Sequence, residues 1–183
     1  MKKLFYSLLT IGSLAIFTSC LDSKDDQYDE WRDRNLAFYN EQSQKKAPDG
    51  SNYYETVSPL WAAGSQVLMH WHNDRSKTQK NLKPLYNSTT DVVYHVRLIT
   101  GEPLDSSYLR TAYGDSIYQS RPSQNIEGFA IALTNMHIGD SCTVIIPYPS
   151  GYGYSGTSNV KPYTTLIYEM KLKGIPGYEV PVD

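Results

Sequence analysis

Strict alternation of apolar and polar residues is the feature of this chain that most constrains its fold. Between Asp91 and Ile99, one face carries Val92, Tyr94, Val96 and Leu98, and the opposite face carries Val93, His95 and Arg97. The segment Thr164 to Leu172 alternates in the same way. A repeat of two residues is typical of a half-buried antiparallel strand. We therefore predict an antiparallel sheet with one face in the core.

Two more strands and one short helix complete the predicted domain. We also predict strands over two segments that are rich in apolar residues, Ser65 to His72 and Ser141 to Ile146. After Ile126 the apolar residues recur at helical spacing, at Phe129, Ala130, Leu133 and Met136. We expect this helix to end at His137 to Asp140, where Gly139 can adopt a left-handed conformation. The prediction is an α+β fold with an antiparallel sheet wrapped around one short helix.

A helical extension precedes this domain. Tyr28, Trp31, Leu36 and Tyr39 recur at helical spacing, and a turn at Lys46 to Gly50 ends the pattern, so we predict an amphipathic helical extension over residues 28–50. Its apolar stripe must be buried, either against the following domain or against a second copy of the chain. The second possibility predicts a homodimer.

The first twenty residues have the pattern of a secretion signal. Lys2 and Lys3 precede an apolar run from Leu4 to Phe17, which is too short to remain as a membrane-spanning helix, and small residues then lead to Cys20. This resembles a bacterial lipobox, so we predict a lipoprotein signal peptide over 1–19, lipid on Cys20 and a tether over 20–27. A plain secretory signal with an incidental cysteine is the alternative.

Lipid on Cys20 predicts an extracytoplasmic protein that is anchored in the outer membrane, on its periplasmic or its surface face. The residues behind Cys20 are acidic. Acidity at this place resembles the surface-export signal of Bacteroidetes lipoproteins, although a solvated linker has the same composition. Both interpretations stay open.

The net charge of the chain and its few cysteine and histidine residues argue against several functions. After removal of the signal the chain has 15 basic and 19 acidic residues, a net charge of −4, which disfavours nucleic-acid binding. The basic residues from Arg75 to Lys83 are interpreted as a solvated loop. Cys142 alternates with Val144 and Ile146, so we expect it in the core. His70 and His72 share a strand face but have no third ligand in the sequence, so we predict no metal and no cofactor.

Five short motifs follow one another in order between Val92 and Leu172. They are Tyr94, Leu104-Asp105-Ser106-Ser107, Ile126-Glu127-Gly128-Phe129, Gly151-Tyr152-Gly153 and Thr165-Leu166-Ile167-Tyr168-Glu169. In order and spacing they resemble the FKBP family of peptidyl-prolyl isomerases. The resemblance covers about residues 65–174. It implies an FKBP-like domain over 51–175 and a C-terminal tail over 176–183.

The resemblance also implies the roles of particular residues. Six positions match the catalytic pocket of the family: Tyr94, Asp105, Ile126, Phe129, Tyr152 and Tyr168. Among them, Ile126 offers a backbone N–H to a substrate carbonyl, and Phe129 replaces the tryptophan at the pocket floor. Three further positions match substrate-binding residues, namely Leu104, Ser116 and Val160. Leu104 and Ser116 stand where the family has aromatic walls, and Tyr118 matches a core aromatic.

The expected function is isomerisation of X-Pro bonds in exported proteins, whose proline-containing segments are the expected partners. An apolar pocket would stabilise the twisted amide. The missing walls at Leu104 and Ser116 leave open a binding module without turnover, which would act as a peptide-binding chaperone or interaction module. A third possibility is a lipoprotein subunit that binds a partner through the helix of Trp31 and the tyrosine-rich surface.

Overall fold

The fold is described by a computed structural model over residues 26–109 and 116–177. Inside these ranges there are seven strands and two α-helices. The signal peptide, Cys20, most of the predicted tether and the tail from 178 onward lie outside the described residues. No helix among the described residues has both the length and the apolarity needed to cross a bilayer.

All the strands belong to one antiparallel sheet. The strands are β1 (Glu55–Val57), β2 (Val67–Trp71), β3 (Thr90–Leu98), β4 (Pro103–Ser106), β5 (Tyr118–Ser120), β6 (Ser141–Ile146) and β7 (Leu166–Gly174). Their order across the sheet is β1-β2-β6-β7-β3-β4, and the short β5 also pairs with β3. The longest pairing, β3 with β7, sets Tyr94 opposite Met170 and Val96 opposite Tyr168. These two strands are the ones that alternate most clearly in the sequence.

One face of the sheet carries the main core. Val92, Tyr94 and Val96 of β3 point into it, and helix α2 (Glu127–Leu133) packs over them. His95 and Arg97 lie exposed on the other face. The predicted antiparallel sheet around a short helix is therefore confirmed. Cys142 is also in this core, as expected, and burial raises the pKa of its thiol.

The end of α2 differs from the prediction. The helix ends at Leu133 and not near Gly139, because the hydroxyl of Thr134 donates to the carbonyl oxygen of Ala130 and the next N–H groups bond three residues back. Met136 continues into the core without helical geometry. Gly139 does have a positive φ of 97°, but it lies in the turn before β6.

Gly128 sets how closely α2 approaches the sheet. A Cβ atom at this position would lie 2.3 Å from Cγ2 of Ile146 and 2.9 Å from its Cγ1. Real side chains do not approach so closely, so only glycine permits this contact between α2 and β6. The same contact also positions Ile126, directly before α2, and Phe129, because both lie within two residues of Gly128.

Helix α1 (Asp29–Gln44) covers part of the opposite face of the sheet. Tyr39 packs there in a second core cluster with Tyr54, Leu68 and Ile145. The indole N–H of Trp31 donates to Thr164 Oγ1 over 3.0 Å, and Asn35 Oδ1 accepts from the Thr165 N–H over 2.7 Å. Helix α1 therefore packs against the chain's own domain, which is the first of the two predicted possibilities.

The predicted stripe of α1 was wrong at one position. Leu36 is exposed, and Asn35, the residue before it, is fully buried. Burial of a polar amide is compensated here because Asn35 bonds to Thr165 and, through its Nδ2, to the carbonyl oxygen of Trp31 over 2.8 Å. The inner face of α1 is therefore decided by hydrogen bonds as well as by apolarity.

The loop interpreted as solvated includes one structural cation. Arg75 Nε lies 3.4 Å from Oδ2 of the fully buried Asp140, and the guanidinium stacks 3.9 Å from the centre of the Trp71 ring. Thr78 Oγ1, Asn73 Nδ2 and the N–H of His137 also donate to the Asp140 carboxylate. This network ties the loop after β2 to the turn before β6, so the prediction of a merely solvated loop was wrong for Arg75.

Candidate active site

A cavity of about 250 Å³ opens between α2, β3 and the loop after β6. All six residues predicted as catalytic line it, and Tyr118, Gln124 and Asn125 complete its wall. The six come from five separate elements or loops, at Tyr94, Asp105, Ile126, Phe129, Tyr152 and Tyr168. The structure therefore brings together residues that are up to 74 positions apart in the sequence.

Aromatic rings form the floor and the sides of the cavity. Tyr94 lies at their centre, with its ring centroid 5.7 Å from Phe129, 5.7 Å from Tyr168 and 5.5 Å from Tyr118. Phe129 and Tyr168 are themselves 5.5 Å apart at 67°. These edge-to-face arrangements are the favoured geometry for aromatic pairs. The result is a continuous surface of aromatic ring faces and edges.

Asp105 supplies a polar group at the edge of the cavity. The hydroxyl of Tyr94 donates to Asp105 Oδ2 over 3.0 Å, and the N–H of Ser106 donates to Asp105 Oδ1 over 2.8 Å. Strand β4 holds this carboxylate in place because Asp105 pairs with Val96 of β3. Tyr94 is also fixed at its backbone, where its N–H donates to Ser107 Oγ over 3.2 Å.

The entrance to α2 forms another part of the wall. Ile126 is the residue immediately before the helix, with φ −59° and ψ 150°, and the backbone N–H groups at a helix start have no acceptor within the helix. The preceding turn is held by Asn125, whose Nδ2 donates to the Arg121 carbonyl oxygen over 2.7 Å and whose Oδ1 accepts from the Tyr118 hydroxyl over 3.3 Å. This turn places Ile126 in the lining of the cavity.

Burial raises the pKa of Tyr168, and the neighbouring Tyr152, Tyr94 and Asp105 raise it further. A tyrosine with a raised pKa stays protonated throughout the neutral range. The Tyr168 hydroxyl is therefore a neutral group at neutral pH.

Three predicted substrate-binding residues are not part of the cavity lining. Val160 is 5% exposed and packs in the main core. Leu104 packs partly against the same core and lines a different groove beside Arg97 and Leu109. Ser116, with φ 62°, follows the undescribed segment 110–115. Neither Leu104 nor Ser116 places a side chain in the wall that surrounds Tyr94.

Sequence reasoning missed three cavity residues. Tyr118 was expected only as a core aromatic, and Gln124 and Asn125 were not considered. The sequence did contain a signal for Gln124 and Asn125. Pro122 predicts a turn, and the residues between that turn and Ile126 have to lie next to Ile126. Tyr118 belongs to a three-residue strand, which is too short to show a periodic pattern.

His70 in β2 and His72, which directly follows β2, have ordinary partners. His70 Nδ1 donates to the Tyr53 carbonyl oxygen over 2.8 Å and its ring stacks on Tyr53, with 3.9 Å between centroids. His72 Nε2 bonds to Thr143 Oγ1 over 2.8 Å. Across residues 26–109 and 116–177, no three His, Cys, Asp or Glu side chains meet in a group that would hold a metal ion.

Comparison with known families adds an independent observation. The model of the FKBP-type peptidyl-prolyl cis-trans isomerases matches residues 81–173, just over half of the chain. The chain belongs to the FKBP family. The match begins before β3 and runs through almost all of β7, so it includes all six cavity residues predicted from the sequence, whereas α1, β1 and β2 lie outside it.

Individual relatives agree with this FKBP assignment. "FK506-binding protein 2" of Aspergillus oryzae is 35% identical over 77 residues, which are 42% of this chain and 56% of that protein. The FKBP chain thus matches little more than half the length of this relative.

Among solved structures, a peptidyl-prolyl cis-trans isomerase of Pseudomonas syringae pv. tomato has a TM-score of 0.60 at 23% identity, over 84% of this chain and 96% of that one. FkpA of Escherichia coli has a TM-score of 0.63 at 21% identity, over 82% of this chain and 63% of that one. At these identities the two structures support the fold.

Proposed function

We propose that the protein is a peptidyl-prolyl cis-trans isomerase whose active site is the cavity around Tyr94. The observation that carries this proposal is the convergence of Tyr94, Phe129, Tyr168 and Tyr118 around one aromatic-lined pocket beside the Asp105 carboxylate. Membership of the FKBP family supports the same reaction.

The chemistry asks little of acid or base groups. Rotation about an X-Pro bond has a barrier of roughly 18–20 kcal/mol because the planar amide loses its resonance as it twists. The twisted amide has less charge separation than the planar one, so moving it from water into a cavity lined by aromatic rings favours it relative to the ground state. The proline ring would pack against the rings of Phe129 and Tyr168, and the Tyr168 hydroxyl stays neutral.

Polar groups at the edge would then orient the peptide. The Ile126 N–H would donate to a substrate carbonyl next to the proline. Asp105, held by Tyr94 and Ser106, would accept a hydrogen bond from a peptide N–H near the proline. Each is fixed by its own element before substrate arrives, which avoids a reorganisation cost during the reaction.

The test is a proline-isomerisation assay on short peptides with the soluble chain starting at Leu21. We expect acceleration over buffer, with losses in Tyr152→Phe and Asp105→Ala. Tyr154→Phe is the matched control for Tyr152→Phe, because Tyr154 is exposed outside the cavity lining. A rate equal to buffer for several residues before proline would overturn the isomerase proposal.

A binding module without turnover is the second candidate, favoured by one specific observation. Leu104 and Ser116, at two positions where the family has aromatic walls, do not line the cavity. Fewer walls would leave the peptide bound but less restrained. Peptide binding at the cavity, with the isomerisation rate of buffer, would support this candidate over the first.

Exported proteins are the proposed substrates, since the sequence favours a lipid anchor at Cys20 and a place at the outer membrane. Mass spectrometry of the protein purified from membranes tests this. Lipid on Cys20 in the wild type, and release from the membrane on Cys20→Ser, are expected. A signal cleaved elsewhere, with no lipid, would contradict it.

Self-association through α1 also remains a prediction. Its inner face packs on the sheet, but Leu36 on the outer face is exposed. Light scattering on the wild type and on Leu36→Asp gives the test. A monomer mass for the wild type would exclude the homodimer.

A further inference from the structure

A strip of large exposed apolar residues lies outside the cavity. Leu60, Trp61, Leu85 and Tyr86 are exposed by 105%, 46%, 76% and 39%, and we call them the aromatic strip. They come from two loops, and the rings of Trp61 and Tyr86 meet with 5.1 Å between centroids. Both loops come before α2 in the chain, and neither contributes a residue to the cavity.

Two hydrogen bonds attach the aromatic strip to the cavity wall. The indole N–H of Trp61 donates to Glu127 Oε1 over 2.5 Å, and Glu127 directly follows the cavity residue Ile126. The N–H of Ser123 donates to the carbonyl oxygen of Tyr86 over 2.9 Å, and Ser123 directly precedes the cavity residue Gln124. The strip is therefore continuous with the side of the cavity formed by the start of α2.

We propose that the aromatic strip binds an apolar side chain of the same peptide whose proline occupies the cavity. This inference rests on the proposed function. An extended peptide advances about 3.3–3.6 Å per residue, so a side chain a few residues from the proline reaches beyond the cavity edge onto neighbouring surface. Contiguous exposed apolar residues mark binding surfaces. The strip would make the protein prefer proline segments that have a Phe or Leu at that distance.

The experiment compares three kinds of peptide with the same X-Pro bond. One is a tetrapeptide that fills only the cavity. The second and third are longer, with either Phe or Ser placed three residues from the proline, on each side in turn. Isomerisation is measured as kcat/KM for the wild type, Trp61→Ala and Leu85→Ser. Matched controls are Tyr154→Ala and Leu36→Ser, which remove an exposed aromatic and an exposed leucine outside the strip.

We expect Trp61→Ala and Leu85→Ser each to lower kcat/KM about tenfold for the Phe peptide, and to leave the tetrapeptide and the Ser peptide unchanged. Trp61→Phe keeps a ring but loses the bond to Glu127, and it should retain most of the preference. An equal loss for all three peptides would overturn the proposal, because it would mean that Trp61 acts only by holding the start of α2.

Binding measurements separate this inference from the proposed function. If the wild type accelerates none of the peptides, fluorescence anisotropy of the same labelled peptides can still measure whether they bind to the aromatic strip. Tighter binding of the Phe peptide that depends on Trp61 would support the strip while excluding turnover. Equal affinity for the Phe and Ser peptides would overturn it. Vesicle binding or self-association lost in Trp61→Ala, with no peptide preference, would also overturn it and assign the strip to a lipid surface or a second copy.

Discussion

Replacing Gly128 with alanine is expected to destabilise the protein, although alanine is the better helix former. At a helix position with free space around it, replacing glycine with alanine stabilises a protein by roughly 0.5–1 kcal/mol. Here the new Cβ would lie 2.3 Å, 2.9 Å and 3.0 Å from three atoms of the Ile146 side chain, which is fully buried and cannot rotate away. Overpacking of a core costs typically about 1–3 kcal/mol. The clash therefore outweighs the helix preference, and we expect a net loss of about 1–2 kcal/mol.

Urea unfolding followed by circular dichroism measures this loss. Gly174→Ala is the matched control, because a Cβ there would meet its nearest neighbour at an ordinary 3.7 Å. The variant should also lose isomerase activity, since pushing α2 away from β6 moves Ile126 and Phe129. In an Ile146→Ala background the three clashing atoms are absent, and Gly128→Ala should become neutral or stabilising. A stabilising effect of Gly128→Ala in the wild type would refute the close-approach reasoning.

Three other perturbations have expected outcomes that follow from buried polar groups. Asp140→Ala should lower the free energy of unfolding by about 3–5 kcal/mol in urea, because Arg75 and the other donors lose their shared acceptor; a change below about 1 kcal/mol would contradict this. Burial alone raises the pKa of Asp140, but the bonds from His137, Thr78 and Asn73 and the charge of Arg75 lower it overall. Asp140 therefore stabilises the fold fully above about pH 4, and this stabilisation is lost as the pH falls through the lowered folded pKa. Asp140→Asn should then flatten the dependence of the free energy of unfolding on pH in acid. An unchanged pH dependence would contradict this. Asn35→Ala should cost about 1–3 kcal/mol and speed proteolysis of α1, because the Thr165 N–H stays buried without its acceptor; wild-type protection would argue against this docking.

The sequence predicted the centre of the fold better than its edges. Strands β3 and β7 each alternate over nine residues, and their positions were predicted to within two residues. Strands β1, β4 and β5 have only three or four residues each and no visible period, so no pattern in the sequence predicted them. Such short strands form because a neighbouring strand offers free hydrogen-bonding groups, which is a property of the assembled sheet.

The cavity could be predicted only through the family resemblance. Tyr94, Phe129 and Tyr168 are core-like residues by pattern alone, and nothing in their spacing says that they surround a cavity. Val160 shows a limit of the resemblance. It matches a substrate-binding position of the family, but its side chain is buried in the core of this protein.

The start of α1 shows a different limit. Leu36 was expected inside, but the structure exposes Leu36 and buries Asn35 in its place. Apolarity alone could not identify this face, because the acceptor role of Asn35 depends on Thr165, 130 residues further along the chain.

The most direct test of the central claim is exchange NMR spectroscopy on a proline peptide with catalytic amounts of the protein. We expect exchange cross-peaks between the cis and trans proline signals within seconds, although the uncatalysed reaction takes tens of seconds or more. With excess peptide and labelled protein, the amide signals of Ile126 and Phe129 should shift. Shifts confined to another surface, or no exchange above that of the free peptide, would contradict the claim that this cavity isomerises X-Pro bonds.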